Sequence, residues 1–200
     1  MIGKKLIGSA VIVAFFLILS YLYLDRNIAD FFAANDTLSP FFEFITKLGV
    51  SKWYLFGFAA MFLIFRFLFR LKTVGNRFLY LFFAVAGSGL IVDILKFIFG
   101  RSRPKLYLEQ GIYGFHFFGT EHLYFSFPSG HSATAFSLAV GITTLFPRYA
   151  YIALSIATLV AFSRMAVDAH YLSDIVAGSY IGAVFAIWVK EKMIFRGISI

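Results

Sequence analysis

Three short polar segments stand out in this chain because their residue types and spacing suit acid–base and nucleophilic chemistry. The last of them runs from Ser163 to Asp174 and contains Arg164 and His170. His170 and Asp174 are four residues apart, which puts them on one face of a helix. An aspartate at that spacing can accept a hydrogen bond from one ring nitrogen and leave the other free to attack, while Arg164 offers paired donors to phosphate oxygens. The same residues would also fit a structural aspartate–histidine pair beside a loop arginine.

The middle segment is Pro128-Ser129-Gly130-His131, directly before an apolar run. Proline and serine mark the start of a helix, and glycine lets the backbone approach a ligand closely. The free N–H groups and the positive end of the helix dipole suit a phosphate oxyanion. Ser129 adds a hydroxyl group, and His131 is placed to donate a proton. Taken alone, these residues also describe an interfacial histidine at a capped helix.

The first segment runs from Lys96 to Pro104, at the end of another apolar run. Arg103 lies seven positions after Lys96, about two helical turns, so both cationic groups could reach one spot. Pro104 predicts the end of that helix, and Arg101 is expected to add to the local positive field. Without the other two segments, the pattern would also fit an ordinary charged helix end.

The rest of the chain is too apolar for a soluble domain. Of its 200 residues, 60% are hydrophobic and 14% are charged, whereas soluble domains are about 45–50% apolar and about 25% charged. The absence of cysteine excludes a disulfide framework and a thiolate metal site. Long apolar runs predict an integral membrane protein. The net charge of +8 then reflects membrane topology and anionic headgroups, and no nucleic-acid partner is predicted.

The apolar runs predict an all-α polytopic fold with six transmembrane helices in a single domain, residues 1–200. The predicted spans are Leu6 to Leu24, Trp53 to Phe69, Phe78 to Phe99, Gly130 to the residue before Pro147, Tyr149 to Phe162, and Tyr171 to Val189. The first run resembles a signal peptide. It is too long for one and lacks a small-x-small cleavage site, so we expect a retained span.

Basic residues predict which way the spans face. One set of connections carries almost only cations, whereas the first long loop carries both signs. The first set is Lys4, Lys5, Arg70, Lys72, Arg77, Arg148, Lys190, Lys192 and Arg196, and the second is Asp25, Arg26, Asp30, Asp36, Glu43, Lys47 and Lys52. The positive-inside rule then places both termini in the cytoplasm. The three polar segments fall at span ends on the opposite side.

Two connections contain more than a simple linker. Within residues 27–48, Ser39 as an N-cap followed by Pro40 predicts the start of a helix. Its apolar positions have the spacing of an interfacial amphipathic helix, although a loop packed over the spans fits almost as well. Those positions are Phe41, Phe44, Ile45 and Leu48. Residues 104–127 are rich in aromatic side chains, which predicts either a structural belt at headgroup depth or a lid over a lipid substrate.

Together, the three segments resemble the three signature motifs of the type 2 phosphatidic acid phosphatase (PAP2) family. The pattern is K-x6-R-P, then P-S-G-H, then S-R-x5-H-x3-D, and every defined position is filled within residues 96–174. The resemblance implies a metal-independent phosphatase of the integral-membrane bacterial branch, without a cofactor, that works through a phosphohistidine.

The resemblance also implies roles for individual residues. His170 would be the nucleophile, Asp174 its orienting partner and His131 the general acid on the leaving group. The residues that would hold the phosphate are Lys96, Arg103, Ser129, Gly130 and Arg164. The expected substrate is a lipid phosphate or diphosphate at the periplasmic or outer face of the cytoplasmic membrane. Phosphatidylglycerol phosphate, undecaprenyl diphosphate, lipid A phosphate and phosphatidic acid all present such a head.

Other functions are compatible with the same residues. A phosphohistidine could pass its phosphate to a second lipid, which would make the protein a phosphotransferase. A non-catalytic lipid-binding or transport protein would be expected to lack the nucleophile or the acid, and neither is missing. A vanadate haloperoxidase fits less well, because those family members are soluble and larger. Nothing in the sequence specifies an oligomeric state.

Overall fold

The computed structural model describes residues 2–35, 37 and 39–200, with side chains described from residue 6 onward. Asp36 and the side chains of Lys4 and Lys5, which enter the predicted charge pattern, lie outside the described residues. Within these ranges the chain is helical, and its one β-bridge, between Arg101 and Phe115, is isolated. The α-helices are α1 (Ile2–Leu19), α2 (Asp25–Ala34), α3 (Ser39–Thr46), α4 (Ser51–Leu63), α5 (Lys72–Phe99), α6 (Pro104–Gln110), α7 (Gly130–Leu145), α8 (Ala150–Ala166) and α9 (Leu172–Phe195).

Five helical runs of the described chain are long and apolar enough to cross a membrane. They are Leu6–Ala34, Ser39–Leu68, Lys72–Phe99, Pro147–Ala166 and Leu172–Phe195. A sixth helix, α7, has 16 residues, somewhat fewer than the roughly 20 that a span usually needs. The all-α membrane fold is therefore confirmed, and the sixth crossing stays a prediction.

The first span is longer than predicted. After α1 the chain continues through a π-helical turn, Ser20–Leu24, directly into α2. Asp25 therefore lies inside a helix, and its side chain is 0% exposed. The prediction that Asp25 belongs to a polar loop is wrong, because hydrogen-bonding partners within the protein replace the water that a loop carboxylate would contact.

Helix α5 ends where the third apolar span was predicted to end, but it does not continue as a helix to Pro104 as expected. Its last residue is Phe99, and Gly100 follows in the left-handed conformation with a φ of 53°. A Cβ atom on Gly100 would lie 1.8 Å from the carbonyl oxygen of His116, so no other residue fits there. Arg103 lies beyond this helix end, and helical spacing is not what relates it to Lys96. Pro104 begins α6 instead of stopping α5.

A helix, α3, forms where the amphipathic helix was predicted, but it buries a different face, and its amphipathic character stays a prediction. Ile45 is buried as predicted, whereas Phe41 and Phe44 are 53% and 65% exposed and Leu48 is 44% exposed. The buried aromatic ring is Phe42, which together with Ile45 is turned into the protein. The helix packs against α8. Its position in the membrane interface stays a prediction.

Helix α7 lies at the centre of the bundle, packed against α5, α8 and α9. Its contact with α9 depends on two glycines at i, i+4 spacing. A Cβ atom on Gly178 would lie 2.2 Å from the carbonyl oxygen of Ser129, and one on Gly182 would lie 2.2 Å from that of Ala133. Small residues at this spacing are typical of closely packed membrane helices. The start of α7 is therefore held beside the first turns of α9.

The polar segments meet at one end of the bundle. The C-termini of α5 and α8 and the N-termini of α7 and α9 all lie there, because these helices alternate in direction. The other end carries cationic side chains of the predicted cytoplasmic set, and there the guanidinium of Arg77 lies 5.9 Å from the centre of the Phe146 ring. Which end faces the cytoplasm stays a prediction.

Candidate active site

His170 lies in the short connection between α8 and α9, and its side chain is almost completely buried. Its Nδ1 atom is 2.7 Å from the main-chain carbonyl oxygen of Ser126. A carbonyl oxygen only accepts, so Nδ1 carries the proton and Nε2 presents a lone pair. No hydrogen bond of Nε2 is found among the described residues. The imidazole is therefore held in the tautomer that a nucleophile needs.

The charge state of His170 also suits nucleophilic attack. Burial lowers its pKa to about 3, and the positive charges of Arg164 and Arg103 act in the same direction, while the carboxylate of Asp174 opposes them. A histidine with such a pKa is neutral throughout the physiological range. Its lone pair is thus available without prior deprotonation.

Asp174, in the first turn of α9, was expected to accept a hydrogen bond directly from His170. Its Oδ2 atom lies 3.7 Å from Nδ1, which is longer than a hydrogen bond. This oxygen instead accepts from the hydroxyl of Ser126 at 2.6 Å and from the main-chain N–H of Tyr171 at 2.8 Å. Asp174 therefore contacts the nucleophile mainly through Ser126, which the sequence analysis did not identify.

A second carboxylate, Asp25 of α2, reaches the same region from the first helix. The guanidinium of Arg101 lies between the two, donating from Nη2 to Asp25 at 2.7 Å and from Nη1 to Asp174 at 2.5 Å. We call Asp25, Arg101 and Asp174 the carboxylate cluster. Arg101 was expected to add to the field around a phosphate, but it is 1% exposed and its charge is compensated on both sides.

The remaining cations surround the start of α7. Lys96 comes from α5, and its Nζ atom lies 3.6 Å from the position of a Cβ atom on Gly130. Its charge is close enough to interact with those of Arg103 and Arg164. We call Lys96, Arg103 and Arg164 the cation cluster. No ion pair with a carboxylate is found for any of the three within the described part of the chain.

Arg103 is fixed by main-chain oxygens of the surrounding loops. Its Nε atom donates to the carbonyl of His122 at 3.1 Å, and its Nη atoms lie 3.4 Å from the carbonyls of Ala169 and Phe125. The ring of His122 also approaches Arg103, with Nε2 3.3 Å from Nη2. These contacts join the first motif to the connection that carries His170.

Arg164 donates from Nη1 to the hydroxyl of Thr46 at 2.5 Å. Its Nε atom is buried and has no hydrogen-bond partner among the described residues. An orphaned buried donor is costly unless a ligand or water satisfies it. Arg164 thus retains a donor for an anion.

The beginning of α7 has the geometry expected of the second motif. Ser129 is the N-cap, and its Oγ accepts from the main-chain N–H of Ser132 at 3.4 Å and from the Ser132 hydroxyl at 3.0 Å. Ser129 itself is fully buried. The ring of His131 packs on Gly49, where a Cβ atom would come within 2.7 Å of it. The end of α3 and the turn after it therefore hold both His131 and Arg164.

The aromatic segment folds over this end of the bundle. Its Tyr113 ring stacks on Tyr21 of the first helix, with the ring centres 4.9 Å apart. Its Phe127 ring packs edge-on against Phe99, at the end of α5. No group of three or more histidine, aspartate or glutamate residues that could hold a metal ion is found in the described part of the chain.

A family model described as the PAP2 superfamily matches residues 77–197, which include all three motifs. The chain belongs to the PAP2 superfamily. The resemblance seen in the motifs is thereby confirmed, and with it the assignment to a family of membrane phosphatases. Asp25, Thr46 and Gly49 lie before the residues that the PAP2 superfamily model matches.

Two curated relatives are named as phosphatases. The chain is 34% identical to a lipid A 1-phosphatase of Rhizobium johnstonii over 155 residues, which make up 72% of this chain and 64% of that protein. It is 27% identical to a lipid A 4'-phosphatase of Porphyromonas gingivalis over 181 residues, 87% of this chain and 75% of that protein. The chain thus spans slightly less than two thirds of the Rhizobium protein.

The crystal structure of Aquifex aeolicus LpxE has a similar fold. The TM-score is 0.64 at 26% sequence identity, over 84% of this chain and 95% of that structure. Its similarity covers nearly all of the helical bundle. The apolar helices and these relatives indicate an integral membrane protein.

Proposed function

We propose that this protein is a membrane-embedded phosphatase that releases phosphate from a lipid through a phosphohistidine at His170. The observation that carries the proposal is the contrast between the two ring nitrogens of that imidazole. Nδ1 is bound to the carbonyl of Ser126 at 2.7 Å, which leaves Nε2 as the nucleophilic atom. The neighbouring cation cluster supplies positive charge that no carboxylate neutralises among the described residues.

In the proposed first step, the Nε2 lone pair of His170 forms a bond to phosphorus as the bond from phosphorus to the lipid oxygen breaks. His131, as the protonated imidazolium, gives a proton to that leaving oxygen and becomes neutral. The charge that develops on the phosphoryl oxygens is stabilised by Lys96, Arg103 and Arg164 and by the N–H groups at the start of α7.

In the second step, His131 takes a proton from water, and the oxygen of that water attacks phosphorus. The bond from phosphorus to Nε2 breaks, which returns the electron pair to His170 and releases inorganic phosphate. These two reaction steps need no cofactor, since every proton and electron pair is supplied by water or by the two imidazoles.

The proposed substrate is a phosphorylated lipid of the lipid A class. The protein would act on it at the periplasmic face, with both of its own termini in the cytoplasm. The names of the two relatives support this class, because both are lipid A phosphatases. The position of the site supports a lipid more generally. It lies at the ends of apolar helices long enough to span a membrane, and the ends of such helices are expected at the depth of lipid phosphates.

The test is phosphate release by the purified full chain from lipid A, phosphatidylglycerol phosphate, undecaprenyl diphosphate and phosphatidic acid. His170→Ala should abolish release, and orthovanadate should inhibit the wild type. His116→Ala is the matched control, because His116 is an exposed histidine of the aromatic segment, and it should keep full activity.

Three outcomes would contradict the proposal. Unchanged turnover in His170→Ala would exclude the phosphohistidine. Release from phosphatidic acid but not from lipid A would exclude the lipid class. Transfer of labelled phosphate to a second lipid, without free phosphate, would replace hydrolysis by phosphotransfer.

A further inference from the structure

The carboxylate cluster is too deeply buried and too closely connected to the nucleophile to be an ordinary ion pair. Asp25 and Asp174 are both 0% exposed. Burying two carboxylates and one guanidinium costs several kcal/mol per ion before their attraction is counted. An arrangement so costly, beside a reactive histidine, calls for a reason beyond helix packing.

Both terminal nitrogens of Arg101 are occupied, whereas its Nε atom has no hydrogen-bond partner among the described residues. Besides the two carboxylates, its Nη1 atom donates to the hydroxyl of Ser173 at 2.6 Å and its Nη2 atom to that of Tyr113 at 3.0 Å. The ring of Tyr171 lies against the guanidinium, 4.4 Å from its central carbon to the ring centre. A planar guanidinium held by acceptors and by a ring face has one permitted orientation.

Asp25 is equally well fixed. Its Oδ1 atom accepts from the hydroxyl of Ser20 at 2.8 Å and from the main-chain N–H of Ser173 at 3.0 Å. Its Oδ2 atom accepts from the hydroxyl of Ser173 at 2.5 Å. Ser20 begins the π-helical turn of the first helix, and Asp25 directly follows it. Such turns re-aim side chains and are frequent at functional sites.

A continuous series of contacts leads from Asp25 to the nucleophile. Asp25 binds Arg101, which binds Oδ1 of Asp174, while Oδ2 of Asp174 accepts from the Ser126 hydroxyl. The carbonyl of the same Ser126 accepts from Nδ1 of His170. Ser126 therefore joins the carboxylate cluster to the imidazole through two of its own atoms.

We propose that Asp25, Arg101 and Ser126 are positioning residues that set the orientation of the His170 imidazole: Asp25 and Arg101 act through Asp174, and Ser126 connects Asp174 to the ring. This proposal rests on the proposed phosphatase function. It assigns a role in the reaction to the first helix, which lies outside the residues matched by the family model. The phosphate itself contacts the separate cation cluster, so loss of a positioning residue slows attack without weakening phosphate binding.

The test compares Asp25→Asn, Arg101→Lys and Ser126→Ala with the wild type in detergent or lipid nanodiscs. Each is expected to lower kcat about 10- to 100-fold, the range seen when outer partners of a functional histidine are removed. KM and inhibition by inorganic phosphate should stay within about twofold. Arg101→Lys keeps the charge but cannot hold both carboxylates. A lower kcat in this variant would therefore show that the geometry of the guanidinium matters, and not only its charge.

The double variant Lys105→Met/Glu109→Gln is the control. It removes a pair that is exposed and 3.8 Å apart, and activity should be unchanged. Phosphohistidine trapped in a rapid-quench experiment separates positioning from misfolding. Slower formation at full amplitude supports the proposal. Full rate at reduced amplitude, or kcat within twofold of wild type in Asp25→Asn and Ser126→Ala, overturns it.

A measurement independent of activity distinguishes failure of this proposal from failure of the proposed function. In ¹⁵N-histidine NMR, the Nδ1–H signal of His170 is identified by its absence in His170→Ala. Asp25→Asn and Ser126→Ala should shift or broaden it, while the His116 signal stays unchanged. An unaffected His170 signal contradicts positioning even if phosphatase activity is found. A shifted signal in a protein that hydrolyses no lipid phosphate contradicts only the function.

Discussion

Arg101 and Arg164 lie near one end of the same helix bundle but have opposite surroundings. Arg101, in the carboxylate cluster, binds carboxylates on two sides. Arg164, in the cation cluster, donates to one hydroxyl group and forms no ion pair with a carboxylate among the described residues. The difference separates two uses of a buried cation. Arg101 neutralises carboxylates of the protein itself, whereas the charge of Arg164 is left for an anion.

His170 stands between these two regions and faces each with a different atom. Its Nδ1 side is joined through Ser126 to the carboxylate cluster, whereas Nε2 is the atom assigned to the phosphate. Changes in the first region should therefore affect stability and orientation, and changes in the second should affect anion binding and turnover.

The largest effect on stability is expected for Arg101→Met. The substitution keeps the length of the side chain but leaves Asp25 and Asp174 as two buried carboxylates without a cation. Removing one partner of a buried ion pair typically costs about 3–5 kcal/mol. Thermal unfolding in detergent would show this as a large fall in Tm. A Tm close to that of the wild type would mean that Arg101 is not the stabilising centre of its cluster.

Arg164→Met should give the opposite result. Removing one donor to a developing oxyanion typically lowers kcat about 10²- to 10³-fold. The Tm should be unchanged or higher, because the substitution removes a cation that repels Lys96 and Arg103. Steady-state kinetics and a melting curve on one preparation check both parts. A fall in Tm like that of Arg101→Met would erase the distinction between the two regions.

His170 should make stability depend on pH. Its pKa is lowered by burial from about 6.5 to about 3, so between these values the unfolded chain binds a proton that the folded protein does not. The free energy of unfolding should fall as the pH drops below 6.5, by roughly 2 kcal/mol at pH 5. His170→Gln should have a flatter Tm profile over this range. Parallel Tm profiles of the wild type and His170→Gln would show that His170 is not a neutral, buried histidine in the folded protein.

The smallest effect is expected for Asp168, which belongs to neither cluster. It is a half-buried residue with a positive φ of 49°, and burial raises its pKa to about 6. Its folded form is favoured while it is protonated and loses stability as the pH rises through 6. Above pH 6, Asp168→Asn should therefore raise the free energy of unfolding by less than about 1 kcal/mol, because solvent screens the charge, and the Tm should rise slightly. A lower Tm at pH 8 would contradict this.

The cation cluster was predictable from sequence because its residues belong to motifs with fixed spacing. Lys96, Arg103 and Arg164 surround the start of α7 as the motifs imply. Helix α5 was expected to continue to Pro104, because proline is the more obvious stop signal in the sequence. The residue that ends α5 is Gly100, because it can adopt the left-handed conformation required there.

The carboxylate cluster was not predictable in the same way. Asp25 follows an apolar run, and hydropathy alone assigns such a residue to a loop. Recognising it as buried requires knowing that Arg101, far away in the sequence, forms an ion pair with it as well as with Asp174. Ser126 holds His170 through its main-chain carbonyl. Every residue has such a carbonyl, so the residue type at position 126 does not predict this contact.

The two glycines of α9 have a mechanical consequence for the entry of substrate. At Gly178 and Gly182 the backbone of α7 lies directly against α9, so neither helix can tilt or slide inward without overlap of main-chain atoms. Helix α7, which carries His131, and helix α9, which follows His170, are therefore fixed relative to each other. The segment with Thr46 and Gly49 is anchored to the same bundle, because the neighbouring Ile45 is buried in a core with Ala135 and Val160. A lipid head that enters therefore meets two imidazoles whose spacing is set by main-chain packing.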